Sequence, residues 1–327
     1  MRVGFIGLGN VGSKLAGSLL RNGFDLAVRD LDRSTAAALE AAGADWAGSP
    51  AEMAEDMDMV ITCLPSPAAS AAVMEDDDGI LAGLAARAIQ GDDNEPPVWA
   101  EMSTTDEAEV RRLAALVTEA GGAAVDCPVS GGCHRAATGN ISIFAGCDRP
   151  TFERALPVLT AMGRNILHTG PIGSASILKV VTNYLATANL VSLCEALVTS
   201  RLAGIDLNTA YEAIRISSGN SFVHETESQV ILNGSRDINF TMGLVQKDLS
   251  LFAAVAERAG VPLELSPVLI DIFEDAVARY GPREWSPNVV RRLEEVTGVS
   301  VLAPGFPAQM VDAEPEIPGR EVVVTRR

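Results

Sequence analysis

Arg2-Val3-Gly4-Phe5-Ile6-Gly7-Leu8-Gly9-Asn10-Val11-Gly12 opens the chain and decides how its first half folds. Residues 2–6 form a short apolar run with the look of a buried strand. The run feeds into G-x-G-x-x-G at Gly7, Gly9 and Gly12. Helical spacing follows over 13–20 and ends at Asn22-Gly23, a normal helix stop. Each glycine has a physical reason. Gly7 permits the tight turn, Gly9 lets backbone approach a pyrophosphate, and Gly12 lets helix and strand pack closely. Leu8, Asn10 and Val11 complete a loop whose amides lead into a helix N-terminus, a natural anion site. A second strand pattern over 25–29 ends at Asp30, about twenty residues on, where a ribose 2′-hydroxyl needs an acceptor. A carboxylate there favours NAD and repels the extra phosphate of NADP, although Arg29 and Arg33 flank it.

The alternation continues outward from this motif. Strand patterns are expected at 59–64, 98–102, 123–126, 141–145 and 166–168, with helices over 34–42 and 106–120. Strands alternating with helices predict a parallel, doubly wound α/β sheet of the Rossmann type. Residues 90–97 read as a polar surface loop within it. Near Gly170-Pro171 the character changes, and the chain is helical to about Gly298, with breaks at Gly204, Gly219, Gly234, Gly260 and Gly281-Pro282. The expected organisation is a dinucleotide-binding domain over 1–170, an all-α domain over 171–298, and an extended, peripheral tail over 299–327 with Pro304, Pro307 and Pro318.

Composition narrows the partners. The net charge of −18 argues against nucleic acid, because phosphate binding needs a basic face. Five cysteines without C-x-x-C spacing, and a strand pattern starting directly at the N-terminus, point to reduced thiols in the cytoplasm. The three histidines show no metal-ligand spacing, and no metal site is expected. Residues 180–200 are long and mostly apolar. Asn183, Asn189 and Glu195 would be expensive in lipid, so this stretch is expected to be a core helix and not a membrane span.

Two further segments carry chemistry. Asp126-Cys127-Pro128-Val129-Ser130-Gly131-Gly132 follows a strand. Gly170-Pro171-Ile172-Gly173-Ser174-Ala175-Ser176-Ile177-Leu178-Lys179 runs on through Asn183. Lys179 and Asn183 are four apart and share one helix face. A lysine on an otherwise apolar helix costs free energy to bury, and desolvation would lower its pKa towards the range useful for proton transfer. The periodicity equally allows a lysine that reaches solvent at a helix start, with Asn183 as a packing amide.

Over roughly residues 1–295 the sequence resembles the β-hydroxyacid dehydrogenases. That family includes 3-hydroxyisobutyrate dehydrogenase and tartronate semialdehyde reductase and is related to 6-phosphogluconate dehydrogenase. The motifs that carry the resemblance, in order, are Gly4-Phe5-Ile6-Gly7-Leu8-Gly9, Leu64-Pro65, Ser103-Thr104, Pro128-Val129-Ser130-Gly131-Gly132, the Lys179 segment and Lys247-Asp248-Leu249. The resemblance implies a helical second domain of the 6-phosphogluconate dehydrogenase C-terminal type and hydride transfer between NAD and a small 3-hydroxy acid or its semialdehyde. It implies that Leu64, Pro65 and Thr104 line the nicotinamide half of the cofactor site. Ser130, Gly131 and Gly132 would hold the substrate's acid group. Lys179 would be the general acid–base and Asn183 would orient the substrate. Lys247 would close over cofactor or substrate, with Asp248 beside it. A homodimer or homotetramer is the implied assembly.

The sequence departs from the family pattern in places. Ala175 and Thr182 stand where the lysine motif usually has glycine and asparagine, both small replacements. His134-Arg135 follows Gly132 where small residues are common, as contacts for a larger or more anionic substrate or as a surface turn. Two other functions fit parts of the pattern. Imine reductases share the scaffold but commonly lack the lysine. A non-catalytic NAD-binding protein would have no use for Lys179, Asn183 and Ser130 together.

Overall fold

The structure, a computed structural model, describes residues 1–89 and 95–325. Part of the loop expected over 90–97, residues 90–94, lies outside the described residues. The chain divides into two compact units. The first is Met1–Lys179 together with Asp312–Arg327, and the second is Val180–Val311.

In the first unit, β1 (Arg2–Ile6), α1 (Gly12–Arg21), β2 (Asp25–Arg29), α2 (Ala37–Ala41), β3 (Asp45–Trp46) and α3 (Pro50–Asp56) form one half of the sheet layer. β4 (Met59–Thr62), α4 (Pro67–Glu75), α5 (Ile80–Ile89), β5 (Val98–Glu101), α6 (Glu107–Glu119) and β6 (Ala123–Asp126) form the other. Their strand order is β3-β2-β1-β4-β5-β6, all parallel, with the order reversing between β1 and β4. Ligands of open α/β sheets bind outside the carboxyl ends of the strands at such a reversal.

Alternation within the strands fills two separate cores, because successive side chains point to opposite faces. Met59, Ile61, Val98 and Ala100 pack on one face with Leu15 and Leu19 of α1. Val60 and Trp99 pack on the other with Met53, Leu84 and Leu113. Both faces are covered, which is why these strands read as continuous apolar runs.

The sheet then departs from the all-parallel expectation. After β7 (Val129–Ser130) and α7 (Gly132–Ala137), β8 (Ile141–Gly146) runs antiparallel to both β6 and β7. The turn from β7 through α7 is too short for a crossover, so the chain must come back along its own direction. α8 (Arg149–Met162), which periodicity did not single out, then carries the chain to β9 (Gly163–Gly170), parallel to β8.

The second unit is helical. α9 (Ser174–Leu202) is followed by α10 (Leu207–Arg215), α11 (Phe222–Asn233), α12 (Met242–Arg258), α13 (Leu265–Tyr280) and α14 (Arg291–Thr297). Its core joins Leu190, Leu197, Val245, Leu249, Phe273 and Val290. By length and composition α9 is long and apolar enough to cross a membrane. It also carries Lys179, Asn183, Asn189 and Glu195.

Two boundaries differ from expectation. The first unit runs past Gly170 to Lys179, because the opening turn of α9 is bonded to the end of β6. The tail is extended and mostly exposed, as expected, but it is docked along its length. Residues 299–311 run along the helical unit, with the Ala303 amide bonded to the Leu232 carbonyl. Asp312–Arg327 belongs to the first unit, where β10 (Arg320–Glu321) adds a parallel strand beside β9. Arg149 clamps Glu321 through two nitrogens, at 2.6 and 3.0 Å, which fixes this edge.

Candidate active site

The glycine loop has the form that its sequence requires. A methyl group at Gly12 would lie 2.0 Å from the Gly7 carbonyl oxygen, so only glycine allows α1 to approach β1 this closely. At Gly9 a methyl group would meet nothing within 4 Å. The glycine that sequence reasoning assigned to cofactor approach therefore faces open space. α1 has no side-chain cap and no acidic residue in its first turn, so its amides and positive dipole end suit a pyrophosphate. The residues present fit a dinucleotide.

Asp30, just after β2, is bonded to this loop. Its Oδ2 accepts from the Leu8 amide at 2.6 Å and its Oδ1 from the Asp32 amide at 3.1 Å. Each carboxylate oxygen has a second lone pair for a ribose hydroxyl. Arg33 lies over the Trp46 ring at 5.2 Å and pairs with Glu40 at 3.0 Å.

Leu64 and Pro65 follow β4, and Thr104 follows β5. A side-chain relay that sequence reasoning missed links the two segments. Glu101 is fully buried and accepts from the Ser103 amide at 2.8 Å, while the Ser103 hydroxyl accepts from the Leu64 amide at 2.7 Å. Burial pushes the Glu101 carboxyl up despite these donors. An acid at the carboxyl end of a buried parallel strand was the available signal.

Ser130 ends β7, and Gly131 and Gly132 turn into α7 with φ of +130° and +84°. His134 and Arg135 pack back over this turn. A methyl group at Gly132 would meet the His134 ring at 3.0 Å, and one at Gly131 would meet Arg135 Cδ at 3.3 Å.

Asp126, given no role by sequence, anchors the lysine helix. It accepts from the Gly173 amide at 3.1 Å, the Ser176 amide at 2.8 Å and the Ser176 hydroxyl at 2.7 Å. Burial pushes its carboxyl up to about 6 against these donors. Lys179 follows one turn later on α9, with only 8% of its surface exposed. The solvent-reaching alternative is thus set aside.

Asn183 stands one turn beyond Lys179 on the same helix. In the helical unit its amide Nδ2 donates to Asp248 Oδ2 at 2.5 Å, and Lys247 Nζ lies 3.1 Å from Asp248 Oδ1. Asp248 is 3% exposed. The structure therefore joins Asn183 and Lys247 through a residue that the sequence had offered only as a neighbour. Gly7 to Gly12, Asp30, Leu64, Pro65, Thr104, Ser130, Gly131, Gly132 and Lys179 all belong to the first unit.

Residues 2–170 match the NAD binding domain of 6-phosphogluconate dehydrogenase. Residues 173–293 match the NAD-binding region of NADP-dependent 3-hydroxyisobutyrate dehydrogenase. The chain is 33% identical over 302 residues to a 2-(hydroxymethyl)glutarate dehydrogenase from Eubacterium barkeri, covering 92% of this chain and 97% of that protein. It is 32% identical over 304 residues to an NAD-dependent L-serine dehydrogenase from Pseudomonas aeruginosa, covering 90% and 98%. Among solved structures, a 3-hydroxyisobutyrate dehydrogenase from Salmonella typhimurium superposes with a TM-score of 0.79 at 28% identity, covering 89% of this chain and 99% of that one. Imine reductases at 16% identity share the fold.

Proposed function

The chain belongs to the β-hydroxyacid dehydrogenase family, and on that premise we propose that Lys179 is the general acid–base of its hydride transfer between NAD and a small 3-hydroxy acid. The protein is an oxidoreductase with a nicotinamide dinucleotide cofactor, NAD, with NADP also admissible. The observation that carries the catalytic assignment is the placement of Lys179. It is buried, on a helix start bonded to Asp126, and one turn from an asparagine whose amide Asp248 fixes.

Gly7 to Gly12 and Asp30 hold the dinucleotide, and Leu64, Pro65 and Thr104 flank its nicotinamide. Bound there, the nicotinamide supplies a hydride acceptor in oxidation and a donor in reduction. Ser130 and the Gly131 and Gly132 backbone hold the substrate carboxylate. Asn183, whose side-chain amide donates to Asp248, orients the substrate. Lys179, neutral, takes the hydroxyl proton during oxidation and returns it during reduction. A positioned acid–base of this kind is worth roughly 10²–10⁴-fold. Lys247 reaches the substrate or cofactor, with Asp248 setting its position.

The substrates named for the relatives, 3-hydroxyisobutyrate, L-serine and 2-(hydroxymethyl)glutarate, share a primary alcohol next to the carboxylate-bearing carbon. They differ in that carbon's third substituent: methyl, amino or carboxyethyl. The test is a panel of such acids and their semialdehydes with NAD or NADP, followed at the NADH absorbance band. Turnover with one substituent class names the substrate type, while silence across the panel overturns the reading. We further propose a soluble, cytoplasmic homodimer or homotetramer. Leu178 and Leu185 support an assembly, since both are exposed on the apolar α9. Sedimentation velocity tests it, and a monomer at micromolar concentration contradicts it.

A further inference from the structure

α7 is the weak point of the substrate-binding turn. It has six residues, too few to hold its own helix in water. Its N-terminal end is the Gly131-Gly132 turn, and its C-terminal end runs through Thr138 and Gly139 into β8. Anything that fixes that far end fixes the two glycines that hold the substrate carboxylate.

The C-terminal tail grips that end. Asp312 Oδ2 accepts from the Thr138 hydroxyl and from Asn140 Nδ2, the latter at 2.8 Å. Asn140 Nδ2 also reaches the Glu314 carbonyl at 3.0 Å, and Glu314 pairs with Arg164 at 3.0 Å. Asn140 is 4% exposed, so its amide has few alternatives to these acceptors. Two residues further along, Glu316 Oε2 holds Arg21 at 3.0 Å, and Arg21 donates to the Ala137 carbonyl, the last of α7, at 2.9 Å. Arg21 is the final residue of α1, the helix that serves the dinucleotide. One short stretch of tail thus ties α7 to β8 and to α1.

We propose that Asp312 is a positioning residue for the substrate-binding turn, acting through Thr138 and Asn140 on α7 and so on Gly131 and Gly132. The proposal rests on the assignment of that turn to the substrate carboxylate. The tail lies beyond the residues matched to the family, which end at 293. Asp312 touches no reacting atom, and its effect falls on substrate affinity.

The experiment compares full-length wild type, Asp312→Ala and Asp312→Asn. An asparagine keeps an oxygen that can accept from both Thr138 and Asn140, whereas alanine keeps none. Amide hydrogen exchange over residues 131–137 should quicken in Asp312→Ala and return close to wild type in Asp312→Asn, without any substrate present. With the turned-over hydroxy acid, KM should rise about tenfold in Asp312→Ala, the loss of a charge-assisted hydrogen bond. The NADH dissociation constant should stay within twofold. Unchanged exchange in Asp312→Ala overturns the proposal whether or not the protein turns over a hydroxy acid. So does a KM that moves only together with the NADH constant, since that marks general loosening. Failure of the functional reading shows separately, as a silent wild type.

Discussion

Asn183 donates its side-chain amide to the Asp248 carboxylate at 2.5 Å, and the other Asp248 oxygen lies 3.1 Å from Lys247 Nζ. One buried acid therefore orients two residues that sequence reading had assigned separately. Replacing Asp248 by alanine removes the acceptor of this Asn183 bond and the partner of this Lys247 ion pair. The expected result is a fall in kcat of at least about tenfold, because the cost of misplacing a positioned group is of that order or greater. Steady-state kinetics checks it, and a kcat within twofold of wild type would show that Asp248 orients nothing the reaction uses.

Asp126 gives a second prediction. Its carboxylate caps the opening turn of α9 through Gly173 and Ser176, one turn before Lys179. Asp126→Ala should lower kcat strongly and quicken hydrogen exchange over 173–179. Ser176→Ala removes one of the bonds and should do both more weakly. Equal, small effects from the two variants would mean that the helix start is held by packing alone.

A third prediction concerns Asp30 and cofactor preference. Its carboxylate accepts from the Leu8 amide of the glycine loop, and Arg33 lies over the Trp46 ring. Asp30→Ala should raise the NADP-to-NAD ratio of kcat/KM by about tenfold or more, through removal of like-charge repulsion. It should also weaken NAD, since the Leu8 amide loses its acceptor. Adding Arg33→Ala should reverse the gain for NADP. A ratio that does not move places cofactor choice elsewhere.

Glu227, on α11, supplies a pH test independent of catalysis. Its Oε2 is sealed from solvent without a hydrogen-bond partner, and burial pushes its carboxyl from an ordinary 4.5 up to about 8. A raised carboxyl binds its proton more tightly folded than unfolded. Folding therefore loses stability as pH rises from the ordinary value to about 8. Urea unfolding should show the stability of wild type relative to Glu227→Gln falling by about 1.4 kcal/mol per pH unit within that window. Parallel pH curves for the two proteins would contradict it.

Much of this was readable in the sequence because it is periodic or local. The glycine loop, Asp30 and the parallel strands follow from alternation and spacing along neighbouring residues. The lysine segment could be read as a helix face, but its burial could not. β8 was expected as a strand, yet its antiparallel direction depends on a turn length set by α7. Glu101 escaped notice, and Asp126 and Asp248 were read only as members of motifs, because their partners lie 2, 50 and 65 positions away or act through backbone amides, which carry no sequence signature. The tail escaped for the same reason. Its prolines and mixed charges read as loose chain, whereas Asp312, Glu314, Glu316 and Glu321 each meet a partner on the first unit.

The central claim is that Lys179 moves the substrate proton. The most direct test is Lys179→Ala, assayed for turnover of the best hydroxy acid alongside titration with NADH. The account predicts unchanged NADH binding and a turnover loss of at least about 10²-fold, the contribution of a positioned acid–base. Turnover comparable to wild type, with the coenzyme still bound, would contradict it.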